Sequence, residues 1–209
     1  KKLYGLSHAK TTNFLMNRII ELTGTKSDMA LDEIYDEIGS VGVSTYGNNT
    51  GKLAFFFSKI GYELIKNKQL RFGKRILKQA SECIHKSSHV NNENLFEILV
   101  YQAYAYALAE DYLTFNEILD KIVGNNLLLN EMHKNTDYSN SLLEIIIFAS
   151  NTETNIQSDK YLNIIIDNIL NPLIEIKSVN YYYRAINLGH KLRDFKKLSI
   201  AFEIYEKII

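Results

Sequence analysis

The chain has 209 residues, with 24 lysines and arginines against 24 aspartates and glutamates, so its formal net charge is zero; 46% of its residues are hydrophobic. That balance argues against a domain-wide nucleic-acid surface, which needs an excess of cations, and no apolar run reaches the roughly 18 residues that cross a bilayer. A single cysteine, Cys83, excludes an internal disulfide and favours a reducing compartment, read here as the cytoplasm.

The sequence opens Lys1-Lys2-Leu3, with neither a methionine nor a signal-peptide core, and reads as part of a longer protein. The first helical stretch holds Phe14, then Asn17 and Arg18, and continues as Ala30-x3-Ile34 with an acidic face of Asp28, Asp32, Glu33, Asp36 and Glu37. A polar connector is predicted from Gly39 to Gly51. Inside it, Tyr46-Gly47-Asn48-Asn49-Thr50-Gly51-Lys52-Leu53 has the outline of a phosphate-binding loop. Tyr46 stands where that loop needs its first glycine, Leu53 stands at the metal-binding Ser/Thr, and no strand precedes it, so nucleotide binding is not expected.

The clearest helix pair follows: Phe57-x2-Ile60-Gly61-x2-Leu64, then Gly73-x3-Leu77-x2-Ala80. On its second helix Arg71, Lys74, Arg75 and Lys78 follow i, i+3, i+4, i+7 spacing and form a basic face opposite Phe72, Ile76, Leu77, Ala80 and Ile84. The acidic and basic faces read as solvated surfaces or as docking patches for a charged partner. Cys83, His85 and His89 form a C-x-H-x3-H cluster with no fourth ligand, so no metal site is expected. A connector from His85 to Glu93 leads to a second copy of the pattern: Leu99, Gln102, Ala103 and Tyr106, then Phe115, Leu119 and Ile122. Beyond a connector from Gly124 to Asp137 lie two strongly apolar helices, Leu142 to Ala149 and Tyr161 to Leu170, with Asn151 to Ser158 between them. Pro172 breaks the chain, and a third copy closes it: Ala185, Leu188, Gly189 and Leu192, then Ala201, Tyr205 and Ile208.

In all three copies the small residue precedes the key position of the second helix by 12 residues. Two antiparallel helices approach within about 8 to 10 Å only where a small side chain lies between them, so Gly61, Ala103 and Gly189 mark predicted crossings. Gly61 and Ala103 are 42 residues apart, and Ala103 and Gly189 are 86 apart, close to two periods, which places degenerate copies near residues 18 and 146.

The pattern, large-x2-large-small-x2-aromatic followed by small-x3-aromatic, resembles the tetratricopeptide repeat. The period near 43 is longer than that family's roughly 34 residues and nearer to HEAT or armadillo lengths, the excess lying in the polar connectors. The resemblance implies an all-α fold, a right-handed α-α superhelix of about five antiparallel helix pairs. These form a single helical-repeat domain over 1–209, with approximate repeats 10–38, 52–84, 94–123, 138–170 and 178–209. It further implies a non-catalytic protein- or peptide-binding module whose first helices line a concave groove.

Family offsets around the small residue select Phe55, Ser58, Tyr62, Ile65 and Lys66 in one copy and Glu97, Val100, Tyr104, Ala107 and Leu108 in the next. In the last copy Asp194-Phe195 resembles the family's turn, as Asp111-Tyr112 does, and would slide the template by three residues. Tyr183 and His190 are selected in either register; Asn180, Asn187 and Lys191 join them in the slid one. The expected partner-binding set is Tyr62, Lys66, Glu97, Tyr104, Tyr183, Asn187 and His190. Tyrosines give large contact area with a hydroxyl, Lys66, His190 and Lys191 can meet a carboxylate, and asparagine can donate to and accept from a main chain. The tyrosines can equally complete packing between repeats.

His8, His133 and His190 accompany no nucleophile motif, and the pairs Asp32-Glu33 and Asp36-Glu37 lie on an outward face, so an enzyme is not expected. Three functional classes follow: the peptide-sensing domain of a transcription regulator, as in the pheromone-responsive regulators of low-GC Gram-positive bacteria; a scaffold in a multiprotein complex; or the repeat region of a larger enzyme with its catalytic part elsewhere. The expected partner is a peptide or protein in the groove. A homodimer fits the same reading, and no cofactor, direct nucleic-acid contact or membrane contact is expected.

Overall fold

The computed structural model describes residues 17, 21, 28–47, 50–86, 90–134, 136–152, 160–168, 179–194 and 197–206. The chain is all-helical. Its helices are α1 (Asp28–Tyr46), α2 (Thr50–Lys66), α3 (Leu70–Lys86), α4 (Asn92–Leu108), α5 (Tyr112–Val123), α6 (Asn126–Lys134), α7 (Thr136–Thr152), α8 (160–168), α9 (Val179–Asp194) and α10 (Leu198–Glu206), with no strand among the described residues. They fall into two compact units, Lys1–Asp111 and Tyr112–Ile209, so the repeat predicted over 94–123 straddles the division. Phe14, Arg18, Pro172, His8 and His89, and the side chains of Ala30, His133, Asn180 and Lys191, lie outside the description.

In the first unit α2 packs against α1, α3 and α4. The predicted crossing of α2 and α3 is built on two glycines. A Cβ added to Gly61 would stand 2.7 Å from Leu77 Cγ and 3.1 Å from the Gly73 carbonyl oxygen; one added to Gly73 would collide with Ile65 and stand 2.9 Å from the Gly61 carbonyl oxygen. Backbone therefore faces backbone, which is why neither position tolerates a side chain. Around this contact Ile34, Ile38, Phe56, Phe57, Ile60, Leu64, Phe72, Ile76 and Ala80 form one core, flanked by Tyr35, Tyr46 and Cys83. Ile65, Leu77 and Ala105 form a second, bordered by Tyr62 and Tyr106.

The copies also share a turn. At the end of α2, Lys68 N–H donates to Ile65 C=O (2.8 Å) and Gln69 N–H to Leu64 C=O (2.9 Å); at the end of α4, Glu110 N–H donates to Ala107 C=O (3.1 Å) and Asp111 N–H to Tyr106 C=O (2.9 Å). These are Schellman motifs, whose αL residue is usually glycine. Here the positions are taken by Lys68 (φ 65°) and Glu110 (φ 55°), each seven residues after its small residue. In the last copy Lys197 N–H donates to Leu192 C=O (2.8 Å), the same 6→1 bond at the same distance from Gly189. That bond fits the register counted from Gly189; Phe195, on which the slid template rests, lies outside the described residues. An added Cβ at Gly189 would meet the Tyr205 ring at 2.6 Å, the small-against-aromatic contact that the unslid template predicts.

Two predicted connectors are mostly helix. α1 continues through Gly39 and Gly42 to Tyr46, although glycine in a helix interior costs about 1 kcal/mol relative to alanine. A Cβ at buried Gly42 would stand 3.1 Å from Phe56 and 3.2 Å from Leu53, so close packing on α2 outweighs propensity. Gly47 (φ 59°) then turns the chain. In the second unit the stretch predicted to connect at Gly124 contains α6, which buries Leu128, Leu129 and Met132; Asn125 Oδ1 accepts from Leu127 N–H (3.0 Å) at its start. α7 extends well beyond the predicted Leu142 to Ala149. It buries Leu142, Leu143, Ile145, Ile146, Ile147 and Ala149 over an arc of about 200°, with Asn140 and Phe148 exposed on the opposite side; so broad an arc fixes the packing register only loosely. Buried Ser139 donates to Met132 C=O (2.6 Å), tying α7 to α6. On α8 the buried Tyr161 donates to Asp120 Oδ1 of α5 (2.9 Å).

Candidate partner-binding surface

α2 and α4 each present one row of residues about eleven positions long, and the rows meet. Tyr62 stacks edge-on to Tyr104 (centroids 5.4 Å, 83° between planes) and tilts against Tyr101 (5.8 Å). Phe55 meets the other edge of Tyr101 at 5.8 Å and 77°. Edge-to-face pairs of this kind add about 0.5 to 1.5 kcal/mol beyond area burial. The ammonium of Lys66, one turn after Tyr62, lies 5.7 Å from that ring's centroid, within cation–π range, and Lys66 is exposed. Burial, then the charge of Glu63 and the neighbouring Tyr101, holds the Tyr62 phenol above its ordinary pKa, so it stays a neutral donor and acceptor. Tyr62, Tyr104 and Glu97 are half-buried: each has one side in the helix packing and one toward solvent.

Four positions selected by the family offsets are not open. Ser58, Ile65, Val100 and Ala107 are buried and pack the helices of the first unit together. Ser58 takes part in a polar contact that sequence offsets did not single out. The buried amide Nε2 of Gln102 on α4 lies 3.5 Å from Ser58 Oγ on α2 and 3.4 Å from Ser81 Oγ on α3, while Ser81 Oγ donates to Leu77 C=O (3.2 Å). The available signal was an amide at a template position filled by Ile60 and Leu188 in the other copies. Tyr101 was also missed; its signal was i, i+3 spacing to Tyr104.

The two charged faces are partly consumed by each other. Arg75 pairs with Asp32 and lays its guanidinium carbon 3.7 Å from the centroid of Tyr35. Lys74 Nζ bonds Asp111 Oδ2 at 2.8 Å. Several of these contacts recur near the sequence period: Asp32 with Arg75, Ser58 with Gln102, Tyr62 with Tyr104, and Asp120 with Tyr161.

In the second unit, Tyr183 is 69% exposed and Ile186 40% exposed on α9; Asn187 and His190 are exposed as well. His190 Nδ1 lies 3.2 Å from the Tyr205 hydroxyl of α10, with the rings edge-on at 6.0 Å. Asn187, selected by the slid register, is exposed beside Tyr183 and Ile186 on the same helix. Burial raises the pKa of the half-buried Cys83 thiol, away from thiolate reactivity. No group of three or more potential metal-ligating side chains occurs among the described residues, and no described helix is long and apolar enough to cross a membrane.

No protein-family model, curated protein or solved structure matches the chain.

Proposed function

We propose that the chain is a tetratricopeptide-like helical-repeat module that binds a peptide or a protein segment on the aromatic surface of α2 and α4. The observation that carries this reading is the cluster of Phe55, Tyr62, Tyr101 and Tyr104 with Lys66 at one end. It combines aromatic anchors of low rotamer entropy with a cation suited to an acidic group on the ligand. The repeat assignment is supported by the Schellman turns after α2 and α4 and the matching 6→1 bond after α9, by the glycine contacts at Gly61 and Gly189, and by contacts recurring near the 43-residue period. A scaffold acting through its charged faces is the weaker reading, because Arg75 and Lys74 already have partners within the chain.

A random-peptide library displayed on phage, selected against the chain, tests the proposal. Enriched peptides should combine apolar residues with an acidic one. In calorimetry with an enriched synthetic peptide, Lys66→Glu should weaken binding about tenfold, and Tyr104→Ala by at least as much, as expected of an aromatic anchor. Lys66 is exposed, so its variant keeps the fold even if Tyr104→Ala loses stability. Unchanged affinity in Lys66→Glu and Tyr104→Ala, with loss in Arg71→Glu and Lys78→Glu, would move the site to the charged face.

A further inference from the structure

We infer that the partner of the α2/α4 surface is an acidic amphipathic α-helix, held with its carboxylates over α2 and its apolar side on α4. Such a partner presupposes the binding surface proposed above and gives its occupant a charge and a shape. From Lys52 to Lys66 the open positions of α2 are Lys52, Phe55, Lys59, Tyr62, Glu63 and Lys66, and every other residue in that span is buried. Cations and rings therefore alternate along one side at three- and four-residue steps, with a lysine every second turn. The row at the same offsets on α4, 42 residues further on, is Asn94, Glu97, Tyr101, Tyr104 and Leu108, and α4 holds no lysine or arginine. One edge of the surface is thus cationic and the other aromatic.

Among the described residues neither Lys59 nor Lys66 pairs with an acid; the Lys66 ammonium rests beside the Tyr62 ring instead. Lys52 and Glu97 have contacts of their own, so two open cations face only Glu63, at the border of the row. An acidic ligand supplies the missing charge. The spacing selects its shape. Lys59 and Lys66 stand about 10.5 Å apart along the helix axis, and residues seven apart on a partner helix lie on one side of it at that same separation. A strand sets its same-face side chains about 6.6 or 13 Å apart, neither of which is the lysine spacing. Single-stranded nucleic acid needs open ring faces for its bases, but Phe55 with Tyr101, and Tyr62 with Tyr104, are turned edge to face into one another.

Calorimetry with synthetic peptides tests this. The probe is an alanine-based helix of about 20 residues with two glutamates seven apart, flanked on one side by leucines at i, i+3, i+7 spacing. It should bind at least tenfold more tightly than a peptide of the same composition with its glutamates five apart, which turns them about 140° from each other. It should likewise exceed a version with a central proline, which breaks the helix. Lys59→Glu and Lys66→Glu should each weaken binding about tenfold with unchanged helix content of the chain by circular dichroism. Replacing both peptide glutamates by lysine should restore binding to the Lys59→Glu/Lys66→Glu double variant, and Lys78→Glu, exposed on α3, should leave the probe's affinity unchanged. Equal binding of the proline or five-apart peptide, an unaffected Lys59→Glu, or tighter binding of a single-stranded oligonucleotide than of the probe would overturn the acidic helix. A probe that fails while a phage-selected peptide binds in a Tyr104-dependent way would also overturn it but leave the surface standing; indifference of every bound peptide to Tyr104→Ala would remove the surface itself.

Discussion

The α2/α3 crossing and α7 are both well buried, but by opposite means. At the crossing the side chains have been removed: Gly61 and Gly73 bring two backbones together, and the large residues stand to either side. Around α7 the side chains have been enlarged over a broad buried arc, with three consecutive isoleucines among them. The first solution fixes one geometry, because only one register brings glycine to glycine. The second fills space and leaves register to its few polar contacts, such as Ser139 with the Met132 carbonyl.

This contrast can be broken most directly by adding one methyl group. Gly→Ala in a helix interior ordinarily gains about 1 kcal/mol, yet Gly73→Ala should lose about 3 kcal/mol, because its Cβ would collide with Ile65 and also stand 2.9 Å from the Gly61 carbonyl oxygen, which cannot move without separating the helices. Gly61→Ala should lose about 1 to 2 kcal/mol, since the nearer obstacle is the Leu77 side chain. At Gly189 the obstacle is the half-buried Tyr205 ring, which can swing, and the loss should stay under about 1 kcal/mol. Ile146→Leu in α7 should cost less than about 1.5 kcal/mol. Denaturant melts that rank Ile146→Leu above Gly73→Ala would remove the distinction.

The polar ties of the second unit can be tested by pH. Burial and then the hydrogen bond to Asp120 push the Tyr161 phenol up to about 12, against a usual value near 10. Folding thus favours the protonated form, and its contribution is complete below pH 10 and lost as pH rises from 10 through about 12. Tyr161→Phe should cost about 1 kcal/mol at neutral pH. Stability followed through pH 10 to 12 should fall more steeply in the wild type than in this variant. Parallel curves would mean that the Asp120 contact does not persist in solution.

The smallest expected effects are gains. Lys68 and Glu110 occupy left-handed conformations that glycine adopts without a Cβ penalty. Lys68→Gly and Glu110→Gly should each stabilise the chain by about 0.5 kcal/mol, seen as a small rise in melting temperature. A loss at either site would show that its side chain has a role beyond the turn.

The same contrast explains what the sequence reveals. Crossings marked by glycine or alanine, with large residues at fixed offsets, are legible, and so is the 12-residue spacing that produces the shared turns. α7 is less so, because a broad apolar arc carries only a loose phase. Gly39 and Gly42 mislead: as local signals they announce a connector, and the closeness of Phe56 and Leu53 explains the place of Gly42 inside α1, while a Cβ at Gly39 would meet nothing within 4 Å. In the candidate site, offsets located Tyr62, Lys66 and Tyr104 beside one another but also selected Ser58, Ile65, Val100 and Ala107, which are core. Offsets specify which residues face the neighbouring helix; depth along that face decides which of them remain open.

On the repeat reading proposed above, a chain of near-copies runs the risk of joining the wrong ones while it folds. The Gln102 amide answers that risk as an address. Its counterparts are Ile60 on α2 and Leu188 on α9, neither of which can donate a hydrogen bond. If α9's pattern docked on the α2/α3 pair in place of α4, the buried Ser58 hydroxyl would face hydrocarbon, at about 1 to 3 kcal/mol if left unsatisfied, whereas Ser81 would keep its bond to the Leu77 carbonyl. Long as its contacts are, one amide makes the correct neighbour distinguishable from a look-alike encoded 86 residues further on.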